Sequence, residues 1–247
     1  MARYDFRTPR LFVDAPLSAG ATVALAREQA NYLINVLRLE RGASVLVFNG
    51  RDGEWRASIS AAGRRDSALA VDERIREQPD EGDLQLLFAP LKHARLDYMV
   101  QKAVEMGASV LQPVITQHTQ VTRVNIERMR TNVIEAAEQC GILTLARVNE
   151  PAPFARAIDA LAAEQVLVFC DEDAEVKDPA TALSGAPAHR GIALLIGPEG
   201  GFSEGERELL LKRKNVLRLS LGPRILRADT AAVAALAVVQ AVLGDWR

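Results

Sequence analysis

The sequence predicts an α/β protein in two parts: a small strand-rich N-terminal domain, then a domain of alternating strands and helices around a mainly parallel sheet. Three observations carry this. Short apolar runs separated by turn residues fill positions 10 to 75. A polar stretch, Glu77-Gln78-Pro79-Asp80-Glu81-Gly82-Asp83, then breaks the rhythm. Beyond it, strand-type and helix-type patterns alternate to the end, as in a parallel sheet covered on both faces. The boundary is accordingly placed after residue 76, giving domains 1–76 and 77–247.

In the first domain the expected strands are Leu11 to Val13, Ala21 to Leu25, Val45 to Phe48, Glu54 to Ser60 and Leu69 to Val71. Asn49-Gly50 and Asp52-Gly53 mark a hairpin loop between the third and fourth. One helix interrupts them, with Ala30, Leu33, Ile34 and Leu37 on a single face. These elements suit a small β-barrel carrying one helix.

In the second domain the reading runs strand Leu84 to Ala89, helix Leu96 to Met106, strand Val110 to Ile115 and helix Ile126 to Gln139 with Asn125 as its cap. Helix Phe154 to Ala163 and strands Val166 to Cys170 and Ile192 to Ile196 follow. Ser203-Glu204-Gly205-Glu206 is a capping box opening helix Glu204 to Lys214, ahead of strand Val216 to Leu219. Asp229 or Thr230 is expected to cap the last helix.

Composition narrows the classes. The chain has 247 residues, 49% of them hydrophobic, enough for a real core. Its formal net charge is only −2, so any nucleic-acid binding must come from local basic surface. Residues 1 to 80 hold twelve Arg and no Lys, and arginine is the side chain that best forks onto phosphate. Cys140 and Cys170 form no C-x-x-C or His-Cys spacing and read as reduced thiols of a cytoplasmic protein. His118 and His189 lack a second ligand at metal spacing, so no metal is expected. The first residues show no basic-then-apolar signal, and the longest apolar run, Ala231 to Leu243, is well short of the roughly 20 residues of a membrane span.

Two stretches carry the chemistry. Leu194-Leu195-Ile196-Gly197-Pro198-Glu199-Gly200-Gly201-Phe202 and Leu217-Arg218-Leu219-Ser220-Leu221-Gly222-Pro223-Arg224-Ile225-Leu226-Arg227-Ala228-Asp229-Thr230 are each a buried-type strand ending in a Gly-Pro loop. The open edge of an α/β sheet presents ligands at such loops. The first is neither a dinucleotide fingerprint nor a P-loop, and Glu199 would repel a phosphate where those motifs offer bare N–H groups. A carboxylate beside apolar, backbone-rich loops suits a ligand with an adenosine part and a cationic centre, such as S-adenosylmethionine.

The pairing of Ile196-Gly197-Pro198-Glu199-Gly200-Gly201 with Leu221-Gly222-Pro223-Arg224-Ile225-Leu226-Arg227-Ala228-Asp229-Thr230-Ala231 resembles the RsmE family, the 16S ribosomal RNA uridine-N3 methyltransferases of the SPOUT class. The resemblance extends to Gln101 to Gly107, Glu135 to Gly141 and Asn35 to Arg38, and so covers nearly the whole chain. It departs at Tyr32, Gln117, Ile142 and Asp229, where the family usually has other residues. It implies a trefoil-knotted methyltransferase domain, an N-terminal PUA-like barrel, a homodimer, and 16S ribosomal RNA within the 30S subunit as substrate. The segment after Cys170 and the two Gly-Pro loops would then form the cofactor pocket.

On that reading Ile196, Gly197, Gly200, Leu219, Leu221, Gly222, Ile225 and Leu226 hold S-adenosylmethionine. Uracil N3 must lose its proton, and charge then spreads to O2 and O4. Arg227 is the candidate for holding that charge, and Glu199 or Asp229 for taking the proton. Arg10, Arg38, Lys92, Arg95, Gln139 and Arg224 are the candidates for gripping RNA. A ribose 2′-O or guanine-N1 methyltransferase of the same class, or a binding-only RNA module, stays open as the alternative.

Overall fold

The computed structural model describes residues 5, 7–63, 66–121 and 123–246. They form two compact units, one built from residues up to Asp80 together with Ala137–Leu145, the other from Glu81–Ala136 and Ala146 onward.

The first unit is a five-stranded sheet of order β1-β3-β4-β5-β2, with β1 (Arg10–Phe12), β2 (Thr22–Ala24), β3 (Ser44–Phe48), β4 (Glu54–Ala62) and β5 (Ser67–Arg76). The β1–β3 pairing is parallel and the other three are antiparallel. Inward residues of all five strands, including Leu11, Val23, Val45, Val47, Ile59 and Leu69, join one buried cluster. That alternation is what a sheet with one core-facing side dictates. β5 is longer than Leu69 to Val71 because its outer half, polar in sequence, still pairs with β4 through register shifts. The helix begins as α1 (Arg27–Ala30) but continues as a π-helical segment (Asn31–Val36), with Leu33 buried in the same cluster. Phe48 on the opposite side of β3 packs with Ala137 and Leu143.

The second unit holds the parallel sheet, in the order β12-β10-β11-β6-β7-β8. Its strands are β6 (Leu84–Phe88), β7 (Val110–Ile115), β8 (Arg147–Val148), β10 (Val166–Cys170), β11 (Ile192–Ile196) and β12 (Val216–Leu219); the two-residue β9 (Ala152–Pro153) pairs with β7. Every pairing is parallel. β11 is buried along its whole length, which explains its unbroken apolar run. One face of the sheet packs on α4 (Phe154–Asp159) and α6 (Glu204–Leu211) through Phe154, Ile158 and Leu210 against Leu167, Phe169 and Leu195. α7 (Ala228–Val242) lies against β11, α2 (His93–Glu105) and the short α5 (Pro179–Ser184), which also touches β12.

The capping signals are mostly where the sequence puts them. Asn125 accepts from Arg128 N–H at the start of α3 (Ile126–Cys140), and Ser203 and Glu206 form the reciprocal box of α6. The last helix differs: Arg227 occupies the cap position with extended backbone and no side-chain cap bond, so Asp229 and Thr230 already lie inside the first turn. An acidic residue is still favourable there, next to the positive end of the helix dipole.

Candidate active site

Because β11, β10 and β12 are parallel neighbours, their C-terminal ends come out side by side. Cys170 pairs with Leu219, and Phe169 with Leu195, so the turns that follow share one edge. Outside that edge lies a cavity of about 580 Å³, lined by Cys170 to Asp173, Lys177, Leu219, Leu221 to Leu226 and Ala231. The volume is in the range of small-molecule sites. Gly222 sits in the rim with a φ of +91°, a left-handed conformation that a side chain would strain.

Of the residues expected to bind a cofactor, Leu219, Leu221, Gly222, Ile225 and Leu226 line this cavity, and so does Arg224. Ile196, Gly197 and Gly200 do not border it. Ile196 is buried as the last residue of β11. A Cβ on Gly197 would come within 2.9 Å of the Phe202 ring, so the glycine permits a ring to pack. At Gly200 it would approach the side chain of His118, whose Nδ1 lies 3.0 Å from the Gly200 carbonyl oxygen. The turn itself is closed by Gly201 N–H donating to Pro198 O.

The acidic candidates are already engaged. Arg95, at the start of α2, donates Nε and Nη2 to the two carboxylate oxygens of Asp229 at 3.0 and 2.9 Å, and Nη1 to Glu199 Oε1 at 2.9 Å. These bonds hold Asp229 below the usual carboxylate range and raise the Arg95 guanidinium. Arg95 therefore braces the Gly-Pro-Glu turn and the final helix together. Arg227 is exposed, and its side chain makes no hydrogen bond or ion pair among the described residues. Lys92 is exposed in the cap position of α2.

Arg10, Arg38 and Gln139 belong to the first unit. Arg38 and Gln139 are exposed, and Arg38 has a φ of +55°. Arg10 corrects the sequence reading. Its side chain is only 6% exposed and pairs through Nε with buried Glu54, while Nη1 donates to Glu138 O. A guanidinium enclosed this way is not available to phosphate.

The cavity lining also contains a charged group outside the two Gly-Pro stretches. Asp171, the first residue after β10, has a fully enclosed side chain that accepts from Arg207 and Arg218. Burial raises its carboxyl group, but the hydrogen bonds of the two arginines outweigh that and hold it below its ordinary value. Cys170 beside it is pushed up to about 12 by burial and by the Asp171 charge, which leaves it a poor nucleophile.

An RNA methyltransferase domain family matches residues 77–240, and an RNA methyltransferase PUA domain family matches residues 25–72. The chain is 32% identical over 236 residues to ribosomal RNA small subunit methyltransferase E of Rickettsia conorii, with 94% of each chain covered. It belongs to that family. The Synechocystis member is also 32% identical, covering 95% of this chain and 78% of the relative. Among solved structures, a ribosomal RNA small subunit methyltransferase E from Neisseria gonorrhoeae bound to S-adenosyl methionine superposes with a TM-score of 0.86 at 26% identity, over 98% of this chain and 100% of that one. A putative methyltransferase from Legionella pneumophila in complex with the bound cofactor SAM gives 0.81 at 30% identity, over 95% and 98%. The expected fold class, a parallel-sheet methyltransferase domain behind a PUA-like domain, holds for this family member.

Asp171 had a signal in the sequence. Cys170-Asp171-Glu172-Asp173 places charge directly after a buried strand, and Arg218 breaks the apolar run of β12. Charges in such positions require partners. Which charge pairs with which is fixed by strand order, which the residues alone do not reveal.

Proposed function

We propose that this chain transfers a methyl group from S-adenosylmethionine to N3 of a uridine in 16S ribosomal RNA of the 30S subunit. The observation that carries the reading is the cavity at the C-terminal edge of the sheet, walled by Leu219, Leu221, Ile225 and Leu226 and bordered by exposed Arg224, with exposed Arg227 next in sequence after the Leu226 wall, in a chain of this family. The donor set fits the cofactor: apolar side chains for the adenine faces, the backbone of a glycine turn for its edge, and carboxylates near a cationic ligand. Bound there, S-adenosylmethionine supplies an electrophilic methyl group on a sulfonium.

The protein's own residues do the rest. Arg227, with no partner to leave, offers hydrogen bonds to a uracil oxygen as charge develops, and Arg224 clamps the neighbouring phosphate. Asp229 is a weak base because Arg95 engages both its oxygens. The N3 proton passes to Glu199, which shares only one oxygen with Arg95, or to solvent. The target base is splayed out of its RNA stack to reach the site. Arg38, Gln139 and Lys92, all exposed, grip the RNA backbone.

Domain 1–76 serves as the RNA-gripping PUA-like part and domain 77–247 as the catalytic part, a reading supported by the two family matches falling on either side of residues 73–76. A threaded C-terminus is supported by the strand order and by α5 lying against both β12 and α7. The active form is a cytoplasmic homodimer. Val233, Ala234, Ala237 and Val238 leave an apolar, partly open face on α7, suited to close packing against a second copy. No helix among the described residues is long and apolar enough to cross a membrane.

Incubating labelled S-adenosylmethionine with 30S subunits from a strain lacking this protein tests the activity. Label is expected in 16S RNA; its absence, with cofactor binding intact, would point to a binding-only module.

A further inference from the structure

We propose that Asp171 is a positioning residue that fixes the spacing of three turns at the C-terminal edge of the sheet, two of which line the cofactor cavity. The inference rests on the reading that the cavity takes S-adenosylmethionine.

The first turn is the one Asp171 itself begins. Its Oδ1 accepts from Asp173 N–H at 3.1 Å and its carbonyl from Ala174 N–H at 3.2 Å, which shapes the chain along the cavity floor. The second is the turn after β12. Asp171 N–H donates to Leu219 O at 2.9 Å, and Oδ2 accepts from Arg218 Nε at 2.6 Å, while Arg218 Nη2 donates to Asp173 O at 2.6 Å. The third is the Gly-Pro-Glu turn after β11. It runs directly into α6, from which Arg207 donates Nη1 and Nη2 to the same carboxylate at 2.7 and 3.2 Å. One enclosed carboxylate is thus bonded to the element that follows or leads into each turn.

Stability alone does not account for the arrangement. Enclosing a charge is costly, and replacing a buried ion pair with packed apolar groups is often neutral or stabilising. What the cluster supplies is geometry. Two planar guanidinium forks can satisfy one carboxylate only over a narrow range of separations, so β12 and α6 are held at fixed distances from β10. The apolar walls Leu219 and Leu221 lie one and three residues after Arg218 and inherit that placement. A purely structural pair would leave the cofactor affinity of the folded protein unchanged, whereas a positioning residue sets it.

The test is calorimetric titration of S-adenosylmethionine into Asp171→Asn, Arg207→Gln and Arg218→Gln, each well below its melting temperature, alongside wild type and the cavity-filling Leu226→Trp. Each single variant is expected to bind on the order of tenfold more weakly, because small misplacements of binding groups are costly. The double variant Asp171→Asn with Arg218→Gln removes one of the arginines left uncompensated. It should regain thermal stability relative to Asp171→Asn while its affinity stays low. Affinity that recovers in step with stability, or single variants that bind like wild type, would overturn the inference while wild-type binding and its loss in Leu226→Trp keep the reading of the cavity. Failure of wild type to bind would remove that reading and the inference with it.

Discussion

Arg95 forks onto Asp229 across 134 residues of chain, with both carboxylate oxygens engaged, and reaches Glu199 with its remaining nitrogen. The two acidic residues suggested by the sequence as bases are therefore the two ends of a brace. Arg95→Gln should release both. Because Asp229 is held below its unfolded value, the pair contributes stability that is present above about pH 3.9, the unfolded carboxylate value. That contribution is lost as the pH falls through the lower, folded value. The pair is partly exposed, so the difference between wild type and variant in urea unfolding should be about 1 kcal/mol at pH 7. It should shrink as the pH falls below 3.9; a difference that grows with acidification would contradict the assignment.

Arg227 is expected to act on the substrate alone. Its guanidinium is exposed, and Asp229, two residues on, is already taken by Arg95. Arg227→Ala should leave S-adenosylmethionine affinity near wild type and lower turnover on 30S subunits on the order of 100-fold. Unchanged turnover, or lost cofactor binding with RNA binding intact, would reject the role.

Gly197 is expected to matter for packing rather than for ligand access. The Phe202 ring that crowds its missing Cβ sits 5.8 Å from Phe154 and 6.2 Å from Phe169, centroid to centroid, with little freedom to retreat. Gly197→Ala should cost about 1–3 kcal/mol in unfolding free energy, as overpacking does. A variant as stable as wild type would show that the ring moves aside freely.

The elements that were legible in sequence are those whose signal is local. β10 and β11 are unbroken apolar runs, and Ser203 with Glu206 announces α6. Asn31–Val36 was legible as a helix but not as a π-helix, because the apolar spacing around Leu33 is nearly the same for both. α5 is not legible in the sequence although Asp178 caps it and Pro179 opens it; six residues carry too little periodicity. The site divides in the same way. The Leu219 to Leu226 wall could be read from one stretch of chain, whereas Arg95–Asp229, Arg10–Glu54 and Asp171–Arg218 join residues that only the fold brings together. Arg10 shows the cost: an arginine near the start of an RNA-binding domain invites a phosphate role, and only its buried partner removes it.

The proposed two-fold dimer rests on the partly open apolar face of α7. Sedimentation at micromolar concentration should give a dimer, and Ala237→Glu, which places a charge on that face, should shift it toward monomer. A wild-type monomer at that concentration would contradict the assembly.

The most direct test of the central claim is the identity of the methylated nucleoside. Small subunits from a strain lacking this protein are incubated with it and S-adenosylmethionine, and their 16S RNA is digested to nucleosides and analysed by mass spectrometry against methylated standards. The account predicts 3-methyluridine, formed with wild type and reduced on the order of 100-fold with Arg227→Ala. A 2′-O-methylated nucleoside or 1-methylguanosine in its place would contradict it.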